Sequence, residues 1–200
     1  MEQPPVMNKF IAFLAILIAC TPMGAQSTSP DPALLAKANG GDAAAQVAVG
    51  EKIAAGSGGE RTNRQLAEDY KQAAEWYRKA AEQGNLAGEM HLAELYRNGK
   101  GVARDMAQAV ALYRKAAEQN DVSAQGMLGV LYSFGQGVEQ NYVEAYFWFE
   151  LAASVPTPDQ AKYLSNRQLA GTHITSEDLE AIQDRIAQWK ATHSRPAAKP

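Results

Sequence analysis

The 200 residues include a single cysteine, Cys20. No intramolecular disulfide can form, and a chain processed beyond that position has neither thiol catalysis nor cysteine-based metal binding open to it. Histidine is scarce too. His91, His173 and His193 are too scattered for a ligand cluster, and none lies in an H-E-x-x-H motif. There is no G-x-S-x-G elbow and no P-loop. A formal charge of −3 supplies no basic field for nucleic acid and no strongly acidic tail. No apolar run reaches the roughly 20 residues of a membrane-spanning helix. The expectation from these absences is a protein that is not an enzyme, with no catalytic residues, no metal, no cofactor and no nucleic-acid partner.

The short apolar run that is present sits at the N-terminus. Lys9 is followed by FIAFLAILIAC, Phe10–Cys20, then by Pro22 and small residues. A basic residue, a short apolar stretch and a small-residue exit together make a secretory signal, so export is expected. Met7 is a second candidate start, since MNKFIAF is a more usual opening than MEQPPV. Two endings fit. LIAC at Leu17–Cys20 looks like a bacterial lipobox, which would make Cys20 the lipidated N-terminus and 1–19 the signal. Cleavage near Ala25 would instead remove 1–25. Acyl chains at about 0.8 kcal/mol per buried methylene would anchor the protein stably, and that anchor is the one membrane contact expected.

Length allows one or two domains with a sizeable core. The apolar fraction of 46 % is ordinary, but its excess is alanine rather than β-branched residues, which leans helical. The chain also repeats itself. YRKAAEQ occurs at Tyr77–Gln83 and again, 36 residues on, at Tyr113–Gln119. In the same register Leu95–Tyr96 matches Leu131–Tyr132, Gly99-x-Gly101 matches Gly135-x-Gly137, and Ala116–Ala117 matches Ala152–Ala153. An earlier copy starts at Asp42: Ala45–Gln46 aligns with Ala124–Gln125, Gly50 with Gly129, and Gly56-x-Gly58 with the other glycine pairs. It carries seven extra residues before Ala73, within the polar stretch ERTNRQLAEDYK, expected to lengthen its second helix. Three units in register make a repeat array.

Each unit reads as two helices and a turn. Ala124, Leu128, Leu131 and Tyr132 form one stripe, Gly135 stops the helix, and Ala145, Trp148, Phe149 and Ala152 resume the period. The G-x-G pairs recur at the repeat period with no strand before them, so they are turns and not phosphate cradles. Small residues at fixed positions let helices approach closely while aromatics fill the space alongside. Glu75, Glu82 and Glu118 fall on helix sides shared with Lys and Arg, and Glu75 with Lys79 has the spacing of a solvated i,i+4 pair. Comparison of YRKAAEQ with the third copy, WFELAAS, leaves the aromatic and the two alanines. The repeated part is the packing part.

LGVLYSFGQGVEQNYVEAYFWFELAA, and nearly as well ELYRNGKGVARDMAQAVALYRKAAEQ, resembles the Sel-1-like repeat, a relative of the tetratricopeptide repeat. The resemblance spans about Gly40 to Ala153. Departures are Ala93 where glycine is usual, Lys52 and Ile53 where Leu and Tyr are usual, and the insertion. It implies an all-α, right-handed α-solenoid of stacked antiparallel helix pairs. The expected layout is 26–41 as linker and N-terminal capping helix, repeats at about 42–84, 85–120 and 121–154, capping helices over 155–192, and a disordered tail at 193–200. The caps show their own punctuation: Pro32 and Gly40 bound one, Pro158 and Gly171 a second, and Thr175 or Ser176 starts a third with a Leu179, Ile182, Ile186, Trp189 stripe. Such ends hide a solenoid's terminal repeats.

The resemblance further implies a protein–protein scaffold or adaptor at the bacterial envelope, monomeric, in the periplasm or as an outer-membrane lipoprotein. A secreted effector acting on host partners is the alternative. Cysteine-rich family members linked to β-lactam hydrolysis suggest a third, but their paired cysteines are missing. In tetratricopeptide-like arrays the first helix of each unit lines the concave side. One face there carries Ala48, Glu51 and Ala55, then His91, Glu94 and Asn98, then Met127, Val130 and Phe134. The last trio is apolar where its siblings are polar, the mark of a contact site. It fits a groove for a partner segment with Met127 and Phe134 as anchors and Glu94 and Arg97 at the rim. It equally fits a face covered by a C-terminal helix, which the apolar stripes of those helices favour.

Overall fold

The structure, a computed structural model, describes residues 30–56 and 61–193. The export signal with Cys20, Gly58 and the tail beyond His193 lie outside the described residues. Among these the regular elements are helices: α1 Pro32–Asn39, α2 Ala43–Ala55, α3 Asn63–Glu82, α4 Leu86–Asn98, α5 Met106–Glu118, α6 Val122–Phe134, α7 Tyr142–Ala153, α8 Gln160–Gly171 and α9 Ser176–Thr192. Helices adjacent in sequence pack together from α1 through α8, making a solenoid of stacked pairs.

Local chemistry sets the helix ends. Asp42, Asn85 and Asp121 precede the first helix of each unit, and their side chains accept N–H bonds from Ala45, Gly88 and Ala124 at 2.8, 3.0 and 2.7 Å. Thr62, Asp105 and Asn141 do the same for the second helices, Thr62 through a full capping box with Gln65. Each cap contributes about 1 kcal/mol. The insertion lengthens α3 to 20 residues against 13 in α5. Gly135 ends α6 in the left-handed region, φ 63° and ψ 36°.

The seam between helices is made of the repeated small residues. Ala73, Ala109 and Ala145 are fully buried, as are Ala80, Ala116 and Ala152. Beside them Tyr77, Tyr113 and Phe149 fill one register position, each contributing about 1.5–3 kcal/mol of apolar burial. A small residue on the first helix makes room for the ring. A Cβ on Gly50 would come within 2.6 Å of the Tyr77 ring, and one on Gly129 within 2.6 Å of Phe149.

Two turn glycines seat each unit on the one before. A Cβ on Gly101 would meet the backbone of Tyr70 and Lys71 at 2.2–2.5 Å, and one on Gly137 the carbonyl of Met106 at 2.5 Å. Main chain therefore rests against main chain at both junctions.

The caps differ from each other. α1 covers α2, and α8 stacks on α7 as a fourth first-type helix, its Tyr163 ring lying over Gly126. α9 does not complete that pair. It returns to α7, burying Ile182 and Ile186 and setting Trp189 edge-on to Phe147 and Trp148. Arg185 donates to Glu144 at 2.5 and 3.1 Å and lies over the Phe147 ring. The expected Glu75–Lys79 pair is not formed: Glu75 accepts from Arg78 at 2.9 Å, while Lys79 sits over the Trp76 ring at 4.3 Å, the nearer aromatic face.

Candidate partner-binding face

α2, α4 and α6 present one face of the array, and its chemistry changes along the stack. At the first junction a cleft of about 400 Å³ is lined by Glu51, Tyr70, Tyr77, His91, Glu94, Asn98 and Lys100, among others. His91 stacks on Tyr77, centroids 4.7 Å apart, and its Nε2 lies 3.0 Å from Glu51 Oε1. Burial, reinforced by the Glu51 charge, pushes the Tyr77 hydroxyl up to about 12.

Glu94 is the hub of the second unit. One carboxylate oxygen accepts from the buried Tyr113 hydroxyl at 2.5 Å. The other accepts from Arg97 Nη2 at 2.6 Å, Arg97 Nε at 3.2 Å and Asn98 Nδ2 at 3.1 Å. Burial works against ionisation here, but the bonds from Arg97 and Tyr113 outweigh it and hold the carboxyl below the usual carboxylate range. Burial and the same bond raise the Tyr113 hydroxyl far above its ordinary value.

The third unit has none of this. Val130 stands where Glu51 and Glu94 stand, and Phe149 replaces the tyrosine beneath. Met127 and Val130 are half-buried against the core, and Leu169 and Ala170 of α8 come down beside Val130. Phe134 is left out at 68 % exposure and Leu169 of α8 at 64 %. Between them lies an apolar cleft of about 130 Å³ whose floor includes Tyr142, Phe149 and Ala170. His173 borders it, stacked on Tyr142 at 4.2 Å.

The structure thus brings His91, Glu94, Arg97 and Asn98 together as one polar set on α4, and Met127, Val130 and Phe134 as an apolar set on α6. α8 lies beside Val130, and Phe134 at the outer end of the α6 stripe stays open. Tyr70, Tyr77, Leu169 and His173 complete the face and escape a helix-by-helix reading of the first helices, because they come from α3, α8 and the turn after it. Val130 over Phe149, against Glu94 over Tyr113, is the signal in the aligned repeats that marks the change.

A larger concavity, about 580 Å³, lies on the side of the second helices between α5, α7 and α9. Its cations are engaged, Arg185 with Glu144 and Arg114 with the Tyr132 hydroxyl. No group of three or more His, Cys, Asp or Glu positioned for a metal occurs among the described residues, and no described helix is long and apolar enough to cross a membrane.

Three stretches match the family model described as Sel1 repeat: residues 43–85, 87–121 and 122–154. Solved structures are similar as well, among them the following two. One is a protective antigen present in uropathogenic Escherichia coli strains, displaying an SLR fold, 25 % identical over 84 % of this chain with a TM-score of 0.58. The chain covers only 44 % of that antigen's length. The other is a Sel1 repeat protein from Oxalobacter formigenes, 35 % identical over 65 % of this chain and 92 % of its own, with a TM-score of 0.55. No curated protein matches the chain.

Proposed function

The chain belongs to the Sel1 repeat family, and on that premise we propose that it is an exported, non-enzymatic scaffold of the bacterial cell envelope that holds a partner segment on the face formed by α2, α4 and α6. Sel1 repeats mediate contacts between proteins. The observation that carries the choice of face is the exposed pair Phe134 and Leu169 around an apolar cleft, beside a polar set one repeat away. Large apolar side chains left open in one patch mark contact sites. The partner places an apolar side chain between Phe134 and Leu169, against Val130, and polar groups toward Glu94, Arg97, Asn98 and His91, with Met127, about two turns back along α6 from Phe134, as a second apolar anchor. Export rests on the N-terminal sequence, with Cys20 as the lipidated residue if the lipobox is used. The scaffold acts as a monomer.

Crosslinking in native envelopes tests the face. Wild type and a Met127→Ala/Phe134→Ala double variant are compared for partners captured by a photoreactive residue at position 98, with folding checked by circular dichroism. Loss of the captured partner from a folded variant supports the face; the same partners at the same yield would sink it. Fractionation with a lipid precursor separates the localisations. Label dependent on Cys20 in the membrane fraction places the protein on the envelope, and release to the medium favours the effector alternative.

A further inference from the structure

Three side chains at one register position are buried and polar: Gln46, Glu89 and Gln125, each no more than 4 % exposed. They occupy the first turn of α2, α4 and α6 and bridge to the helix before. Gln46 donates through Nε2 to the Ala38 carbonyl at 3.1 Å, and Gln125 donates to the Ala117 carbonyl at 3.4 Å, in both cases the carbonyl eight residues earlier. The matching carbonyl for Glu89 is that of Ala81, at the end of α3. An ionised carboxylate has no proton to give it. On the other side Gln46 and Glu89 are treated alike: Gln83 Nε2 donates to Gln46 Oε1 at 2.8 Å and Gln119 Nε2 to Glu89 Oε2 at 2.7 Å.

We infer that Glu89 makes the junction between the first and second repeats acid-strengthened: as the neutral acid its hydroxyl donates to the Ala81 carbonyl as the glutamine amides do elsewhere, and as the carboxylate that bond is missing and a charge is buried. The surroundings support a proton on Glu89. Burial raises its affinity for one; Lys115 opposes this, Glu118 adds to it, and the bond from Gln119 opposes it, with a net rise. These groups come from α5 and the turn after it. On the α3 side the first turn of α4 rests on Ala80 and Ala81, while Arg78 and Glu82 of α3 share the neighbouring groove with Lys115. Neither glutamine sibling carries a charge that could change.

A carboxyl raised in the folded state contributes stability that is complete below its unfolded range and is lost as pH rises through its folded range. Thermal unfolding of the full chain between pH 4 and pH 8, for wild type and Glu89→Gln, reads this directly. The variant should melt about 2–4 °C higher at pH 8 and no higher at pH 4. A gap that is the same at every pH, or absent at pH 8, overturns the inference, as does a variant that fails to fold, because glutamine must fit this position. Gln125→Glu provides the converse. It should match wild type at pH 4 and fall behind as pH rises; melting with wild type throughout overturns the inference as well.

Discussion

The second and third repeats share a seam and differ on the face above it. In the second, a carboxylate sits over a buried tyrosine and is held by an arginine and an asparagine. In the third, valine sits over phenylalanine, and the opening is lined by Phe134 and Leu169. The first repeat sides with the second, pairing Glu51 with Tyr77 through His91. The face residue and the ring beneath it therefore change together. Under an apolar face Tyr113 would lose its acceptor Glu94, and over phenylalanine Glu94 would lose the one donor that reaches it from the helix beneath. Face chemistry in this array is set by pairs, not by single residues.

The deepest way to break both repeats is to attack what they share. Ala109→Leu and Ala145→Leu each overpack a fully buried position, and each should cost about 3 kcal/mol in chemical denaturation. Equal losses confirm one common seam; a loss at only one position would show that the two junctions are built differently. The pair rule is tested next. Glu94→Val leaves the Tyr113 hydroxyl without its acceptor and should cost about 2 kcal/mol. Adding Tyr113→Phe, which recreates the third repeat's pair, should return about 1 kcal/mol of it. Additive losses in that cycle would refute coupling between face and ring.

Titration sharpens the contrast without mutation. Tyr77 is raised to about 12, so the stability tied to its neutral hydroxyl is complete below pH 10 and is lost as pH climbs through about 12. Absorbance at 295 nm should show it ionising before Tyr113, whose hydroxyl is raised further, and Tyr77→Phe should remove that step. Glu94 runs the other way: its carboxyl is lowered, so its contribution is present above the ordinary glutamate range and fades in acid. The smallest effect is expected at the open end of the third repeat. Phe134→Ser should change stability by no more than about 0.5 kcal/mol, while abolishing binding of a partner that uses the cleft.

Much of the architecture was legible because it is periodic. Alanines and an aromatic recurring at a fixed interval declare a stack, and glycines at fixed offsets declare where helices stop. The lengthened α3 followed from a polar insertion rich in helix formers. What escaped sequence was whatever depends on contacts between distant segments. The stripe on α9 announces a buried face, but nothing in Leu179, Ile182 and Ile186 states that it turns to α7 and Trp148 instead of pairing with α8. The bond from Tyr113 to Glu94 was equally hidden, since Tyr113 lies one helix away, whereas Arg97 and Asn98 stand three and four residues on along α4. Phe134 could be picked out as anomalous, yet its exposure depends on how far the C-terminal segment reaches along α6.

The seating of Gly101 on Tyr70–Lys71 and of Gly137 on Met106 bears on how such a chain changes over time. Where backbone sets the step from one repeat to the next, no side chain on the binding face is needed to hold the spacing. The repeats act as a ruler whose graduations are glycines, and the surface marked along it is free to be rewritten for a new partner while the intervals stay constant.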